Sequence, residues 1–415
     1  MEQTGKKNYL IWLNPFFLNF GFCWYNQRVI ELSDDQKKCL GSLLLWCRKN
    51  TEFITLGGYA GTGKTTLIAI LRQKLAQENK NLHVSFCAYT GRAARVLRNK
   101  LLEEKALFPL DSVGTIHSLI YSPIEDEETK EITGWKRKEK IEADLIVIDE
   151  ASMVDLYIWQ DLLSYNIPII AVGDHGQLPP IRKNFNLMQE PNLKLEEIHR
   201  QAKENPIIRL SIMARENGQI PVASFGRNIK KLSYNDPQSQ ELVEELLRNY
   251  NDNTLVLCGY NRTRIKINGF IRSHFGFEGN EPRLGDRVIC LRNNHAKGIF
   301  NGMLGTVFDI REKNEEFYSA QIVMDGEEEI CKGLIYKAQF GAPEPINFTK
   351  ERFRLKDHDI FDFGYALTVH KAQGSQAKRV ILFEERFGKM NDDEWCRWLY
   401  TGITRAEEEL FLIGD

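Results

Sequence analysis

Several things are missing from this chain or scarce in it, and each absence narrows its function. Its 415 residues carry 55 Lys and Arg against 57 Asp and Glu, a formal net charge of −2. No global basic surplus draws it to nucleic acid, so any contact with a polyanion must come from a local groove. The 8 cysteines form no Cys-x-x-Cys pair and show no zinc-like spacing with histidine. That pattern predicts reduced, structural thiols in a cytoplasmic protein. There is no internal repeat and no low-complexity tract. An apolar stretch at residues 9–25 follows Lys6 and Lys7, but it holds Pro15, two asparagines and bulky aromatics. It lacks a small-residue cleavage site and is short for a membrane span. Residues 1–31 therefore read as an N-terminal extension without an assigned role, and no membrane association is expected.

What is present is ordinary globular material, 42% hydrophobic and 27% charged. A chain of 415 residues exceeds what one core usually supports, which predicts two or more domains. After Leu32, short apolar runs at 53–56, 82–88, 144–148, 168–172, 254–258, 379–383 and 410–413 alternate with helical stretches. This is the rhythm of parallel sheets covered on both faces by crossover helices. Two stretches break it. Residues 121–142 are polar and charge-dense, with Trp135 followed by Lys136 to Lys140, and read as a β-hairpin excursion. Residues 285–360 show strand-like runs at 287–292, 305–310 and 318–324, with Asn301-Gly302 and Asp325-Gly326 turn signals, and read as a small all-β insertion. The expected architecture is α/β, in two lobes that each carry an insertion.

Two short strings carry the chemistry. Gly58-Tyr-Ala-Gly61-Thr62-Gly63-Lys64-Thr65-Thr66 matches G-x-x-x-x-G-K-[ST], after an apolar run and before a helical one. Its glycines let successive backbone N–H groups and a helix N-terminus face phosphates. Lys64 supplies a charge for the β- and γ-phosphates, and the Thr65 hydroxyl can ligate Mg²⁺. Residues 144–152 form a buried strand ending in Asp149 and Glu150, one carboxylate placed for a metal and one for a water. The pairing predicts an NTPase.

Further strings follow in order: Gly173-Asp174-His-Gly-Gln177-Leu-Pro-Pro180, Glu197-Ile-His-Arg200, Thr368-Val-His370-Lys371-Ala-Gln373-Gly374-Ser375 and Tyr400-Thr401-Gly-Ile-Thr404-Arg405. Alone they read as a Pro-terminated turn, a solvated helix charge, polar and small residues beside an apolar strand start, and a second arginine near the C-terminus. Together they resemble the ordered motifs of superfamily 1 helicases, in the RecD-like and Dda-like branch that moves 5′→3′. The likeness runs from about residue 32 to residue 415.

That resemblance implies two tandem RecA-like P-loop domains. Residues 32–195 would form the first, with 121–142 as a duplex-splitting pin; residues 196–415 would form the second, with 285–360 as a small β-barrel. It implies ATP and Mg²⁺ as cofactors. Gln36 would read adenine, and Gly58, Gly61, Thr62, Gly63, Lys64, Thr65, Thr66 and Gly374 would line the nucleotide. Thr65 and Asp149 would hold the metal, and Glu150 would be the base for the attacking water. Gln177, Arg200 and Arg405 would surround the γ-phosphate, both arginines reaching over from the second lobe. Implied DNA contacts are Thr90, Arg92, Thr115, His117, Thr368, His370 and Trp135. The implied partners are single-stranded DNA and forks, with single-strand-binding protein or replisome components, for a monomeric enzyme of replication, recombination or repair. The compact form resembles the short phage-like members of the branch.

An arginine finger is worth roughly 10³–10⁵ in rate, and one delivered by a second lobe makes hydrolysis depend on closure. That favours a motor over a kinase. Three other readings compete: a translocase that remodels protein–DNA complexes, a P-loop ATPase that grips DNA without moving, and a scaffold with a dead site. Strings such as 369–375 argue against the second, and the intact set of Lys64, Asp149, Glu150, Gln177 and Arg405 argues against the third.

Overall fold

The computed structural model describes residues 32–49, 51–125, 132–179, 185–198, 204–294, 297–299, 301–327, 330–344, 346, 355 and 358–415. The N-terminal extension 1–31 and Arg200 lie outside these residues.

The first half builds one parallel sheet. In chain order its elements are α1 (Asp34–Lys49), β1 (Phe53–Gly58), α2 (Lys64–Glu78), β2 (Val84–Ala88), α3 (Gly91–Glu103), β3 (Ser112–Thr115), α4 (Ile116–Ile120), β4 (Tyr121–Glu125), β5 (Ile132–Arg137), β6 (Leu145–Asp149), α5 (Leu156–Leu163), β7 (Ile169–Gly173) and β8 (Leu193–Leu195). The sheet order is β3-β2-β6-β7-β1-β8, with parallel pairing throughout. Strands β2 and β7 are buried along their whole length, as expected for β-branched and aliphatic runs covered on both faces. Because β1 and β6 both flank β7, the loop after β1 and the carboxylates at the end of β6 emerge at one edge of the sheet. Ligands of open α/β sheets bind at that carboxyl edge.

The excursion at 121–142 contains an antiparallel pair, β4 with β5, whose tip at 126–131 lies outside the described residues. Its base is clamped to α5 and the turn after it. The Tyr121 hydroxyl bonds Asp161, and Tyr165 donates to the carbonyls of Ile120 (3.0 Å) and Lys138 (2.8 Å).

The second half repeats the parallel pattern with α6 (Pro206–Asn217), β9 (Ser224–Gly226), β10 (Ile229–Leu232), α7 (Pro237–Arg248), β11 (Thr254–Cys258), α8 (Asn261–His274), β12 (Arg287–Cys290), β13 (Leu304–Glu312), β14 (Phe317–Met324), β15 (Ile330–Tyr336), β16 (Phe361–Phe363), β17 (Ala366–Thr368), β18 (Ala377–Phe383), α9 (Asp392–Ile403) and β19 (Ala406–Ile413). The main sheet runs β17-β11-β18-β19-β10-β9, parallel except for β9. Two sheets of this kind in one chain are the α/β arrangement of tandem RecA-like domains. Strands β12 to β16 form a separate five-stranded antiparallel sheet, ordered β15-β14-β13-β12-β16. Two buried ion pairs fasten it to α8: Arg264 to Asp362 at 2.8 Å and Arg272 to Asp286 at 2.9 Å. Removing one partner of such a pair typically costs about 3–5 kcal/mol.

The structure adds strands that the sequence pattern does not signal. β3, β8, β9 and β17 have only three or four residues, too few for a periodicity to register. β15 and β16 extend the antiparallel sheet, and β16 lies just past residue 360 because it pairs back onto β12.

Candidate nucleotide site and interlobe cleft

The phosphate loop links β1 to α2. Gly61 and Gly63 have φ of 80° and 74°, left-handed values that only glycine adopts without cost. A Cβ at Gly58 would come within 2.7 Å of Thr62 Oγ1, so the loop closes on its first glycine. Gly63 is the N-cap of α2 and brings no side-chain cap, and the first turn holds no acidic residue. The first N–H groups of α2 are thus available to an anion. Lys64 Nζ donates to the carbonyls of Gly58 (2.7 Å) and Tyr59 (3.0 Å), which holds the ammonium at the loop. Thr65 and Thr66 stand in the first turn of α2. Gln36 is fully buried and donates to the Thr62 carbonyl at 3.0 Å, so α1 braces the loop from behind.

Facing the loop, β6 ends at Asp149. Burial and the neighbouring Glu150 charge push the Asp149 carboxyl up to about 6, while Lys64 and the Glu150 N–H pull the other way. Glu150 sits at φ 53°, a left-handed conformation rare for a side chain of this size. Such strain, on the order of 1–3 kcal/mol, concentrates at working sites. Glu150 Oε2 is buried with no hydrogen-bond partner among the described residues. Two adjacent carboxyls, one disfavoured as an anion and one with an orphaned oxygen, fit a divalent cation. Among the described residues no group of three or more His, Cys, Asp or Glu forms a cage. Mg²⁺ commonly needs none, because it is held by one or two carboxylates and by substrate phosphates.

Gln177 lies in the loop after β7 of the first lobe, and Arg405 follows α9 in the second. Gln177 is 6% exposed, with its amide 3.5 Å from Asp174 Oδ2. Arg405 is 1% exposed and donates to the carbonyls of Thr401 (3.1 Å) and Ser375 (3.3 Å) and to Thr404 Oγ1 (3.3 Å). A buried guanidinium held by three neutral oxygens suits an anionic substrate group. The lobes meet through several hydrogen bonds. Leu178 is held at both ends, its N–H donating to Thr401 Oγ1 (2.9 Å) and its carbonyl accepting from Gln373 Nε2 (2.5 Å). Gly374, at φ 73°, packs on Met153, where any Cβ would collide with the sulfur.

Residues 31–232 match the model of an AAA domain, and residues 363–413 match the UvrD-like helicase C-terminal domain. The chain is 26% identical over 425 residues to the ATP-dependent RecD2 DNA helicase of Deinococcus radiodurans, covering 92% of this chain and 49% of that protein. It is 24% identical over 456 residues to the RecBCD enzyme subunit RecD of Buchnera aphidicola from Acyrthosiphon pisum, covering 88% of this chain and 70% of the relative. The chain is similar to superfamily 1 helicases of the RecD-like and Pif1-like group. It spans about half the length of the Deinococcus relative. A crystal structure of Bacteroides Pif1 helicase with ADP-AlF3 and single-stranded DNA aligns over 92% of each chain, at 18% identity and a TM-score of 0.47.

A cleft of about 370 Å³ opens between the lobes. Thr90 lines it from the first lobe and His370, Lys371 and Ser375 from the second, with Tyr89, Tyr157 and Phe185 as aromatic walls. The structure therefore brings together two of the residues expected at DNA, Thr90 and His370. Thr90 and Thr115 cap α3 and α4, accepting from Ala93 N (3.2 Å) and Ser118 N (3.1 Å). Thr368 ends β17 and is half-buried. His117 is 4% exposed, its ring 5.4 Å from Tyr121 and 6.5 Å from Tyr89. Arg92 lies in the first turn of α3, and Trp135 on β5 pairs with Pro123. Lys371 and Tyr157, not expected at the site from the sequence, also line the cleft. Lys371 stands inside a string already singled out; Tyr157, 69% exposed at the cleft, follows no recognisable signal.

Proposed function

We propose that the protein is an ATP-dependent DNA helicase that moves 5′→3′ on single-stranded DNA and unwinds duplex ahead of it. The observation that carries this reading is the split site: phosphate loop, Asp149 and Glu150 in one lobe, Arg405 in the other, and an aromatic-walled cleft between the same two lobes.

ATP phosphates dock on the α2 N-terminus and Lys64. Thr65 and Asp149 would hold Mg²⁺, which when bound offsets charge between the β- and γ-phosphates. Glu150, with its free Oε2, orients the attacking water and accepts its proton. Gln177 sits at the γ-phosphate, and Arg405 approaches it as the lobes close. Closure and release convert hydrolysis into motion along the strand. In the cleft, Thr90, Thr368 and His370 contact phosphates, which positions DNA without reading sequence. Bases stack on aromatic walls such as Tyr157, at roughly 1–3 kcal/mol per base. The β4–β5 pair serves as the pin, and β12–β16 as a small barrel beside the strand. SSB or replisome partners and a monomeric state are carried by the family resemblance.

The test is ATP turnover with and without oligo(dT). Turnover should be low alone and rise strongly with DNA, should fall steeply with salt, and should vanish in Glu150→Gln while nucleotide binding persists. Equal turnover with and without DNA contradicts the coupling.

A further inference from the structure

Tyr400 is 1% exposed, yet its hydroxyl does more than satisfy itself locally. It accepts the Ala60 N–H at 2.7 Å and donates to Asp174 Oδ2 at 2.6 Å. One oxygen thus joins three separate segments: the phosphate loop, the loop after β7, and helix α9 of the second lobe. Asp174 is itself buried, and its other oxygen accepts from Gly176 N at 2.9 Å. The oxygen that Tyr400 engages is also the one 3.5 Å from the Gln177 amide.

The neighbours on α9 extend the connection. One turn earlier, Arg397 donates to the His175 carbonyl at 2.8 Å. Next to Tyr400, Thr401 takes the Leu178 N–H on its hydroxyl and receives Arg405 Nε on its carbonyl. Of these four residues, Tyr400 is the one that reaches the phosphate loop. The hydrogen bonds of Arg405 all go to residues 375, 401 and 404 of its own lobe.

We propose that Tyr400 is a positioning residue for ATP hydrolysis, its hydroxyl setting the register of α9, and with it Arg405, against the phosphate loop and Gln177. This rests on the helicase reading above. Burial and the Asp174 charge hold the phenol well above its ordinary range, so it remains a donor across physiological pH. The Arg405 charge pulls the other way. Arg405 acts on a reacting phosphate, and a displacement of about 1 Å at such a group costs on the order of 10²-fold in rate.

Steady-state ATP hydrolysis by the full chain at saturating oligo(dT) tests this in wild type, Tyr400→Phe, Arg405→Ala and the double variant. Tyr400→Phe should lower kcat by about tenfold or more and leave KM for ATP within about twofold. In the Arg405→Ala background the same change should cost less than about twofold, because the two act as a unit. A raised KM with kcat intact makes Tyr400 a shaper of nucleotide binding and overturns the proposal. Losses that multiply in the double variant overturn it too. Should Tyr400→Phe fail a melting check for folding, Asp174→Asn carries the test, since it keeps the loop shape and weakens the acceptor. It should show the same loss in kcat alone, present with Arg405 and absent without it; a folded Asp174→Asn with normal kcat refutes the register argument. A wild type without DNA-stimulated turnover overturns the helicase reading, and this inference falls with it.

Discussion

Lys371 carries a stability cost at neutral pH. It lies in the short turn Val369–Ala372, and its ammonium is buried with no hydrogen-bond partner among the described residues. Burial first, then the Arg264 charge, pulls its pKa from 10.5 down to about 8; Asp362 opposes the shift. A folded pKa below the unfolded one means that the native state binds protons less readily. The stability cost is therefore complete below about pH 8 and fades as pH climbs toward 10.5. Lys371→Met should stabilise the DNA-free protein at pH 7 by on the order of 1–3 kcal/mol. That gain should shrink in urea titrations at higher pH. The same variant should bind single-stranded DNA more weakly, with a shallower salt slope in fluorescence anisotropy. No stabilisation at pH 7 removes the idea that this cation is buried for a phosphate. Residues of this kind explain what the chain conceals. The phosphate loop is legible because Gly61, Gly63 and Lys64 act through local backbone geometry, and Asp149 and Glu150 because they end a recognisable buried strand. Tyr400 is not legible as a positioning residue, since its acceptor Asp174 lies 226 residues away. The left-handed turn at Glu150 is invisible as well, because nothing in the residue type requires it.

Among the elements, the β4–β5 pair is the one whose proposed role as a pin depends on stiffness. Tyr165 pins the carbonyls on both sides of its base, and Arg137 donates to Ser164 at 3.0 Å. Lys138 adds a bond to the Ser118 carbonyl at 2.7 Å. A motor that pulls a strand opens duplex only when something rigid stands where the strands part. Replacing residues 122–136 by a tight turn should leave DNA-stimulated ATP turnover near normal and reduce unwinding of a fluorescent fork. Unwinding that survives the shortening takes the hairpin out of the mechanism. Element by element, the long buried strands were readable from the chain, and β11 matches its expected bounds of 254–258. The hairpin was readable as a break in composition. The edge strands were not, because β8 and β17 are three residues long and are held by sheet pairing rather than by any pattern of their own. Nor was β16, which joins the antiparallel sheet only because Phe361 and Phe363 pair back onto β12 across the intervening loop.

At the scale of the whole molecule, labour is divided between the two lobes. The phosphate loop and carboxylates belong to the first parallel sheet, Arg405 to the second, and contacts at Leu178, Tyr400 and Gln373 hold the two in register. The cleft that admits Thr90 from one lobe and His370 from the other lies at the same junction. A strand seated there would touch both lobes, and the proposed cycle couples its binding to hydrolysis. The two-lobe plan was legible from strand–helix alternation and chain length; the interlobe contacts were not, since they join residues with no sequence signal for one another. The most direct test of the account is ATP-dependent strand separation on partial duplexes that carry a single-stranded tail on either the 5′ or the 3′ side. The account predicts rapid opening of the 5′-tailed duplex and little opening of the 3′-tailed one, both abolished by Lys64→Ala. Preference for the 3′ tail, or tail binding and ATP turnover with no strand separation on either substrate, would contradict it.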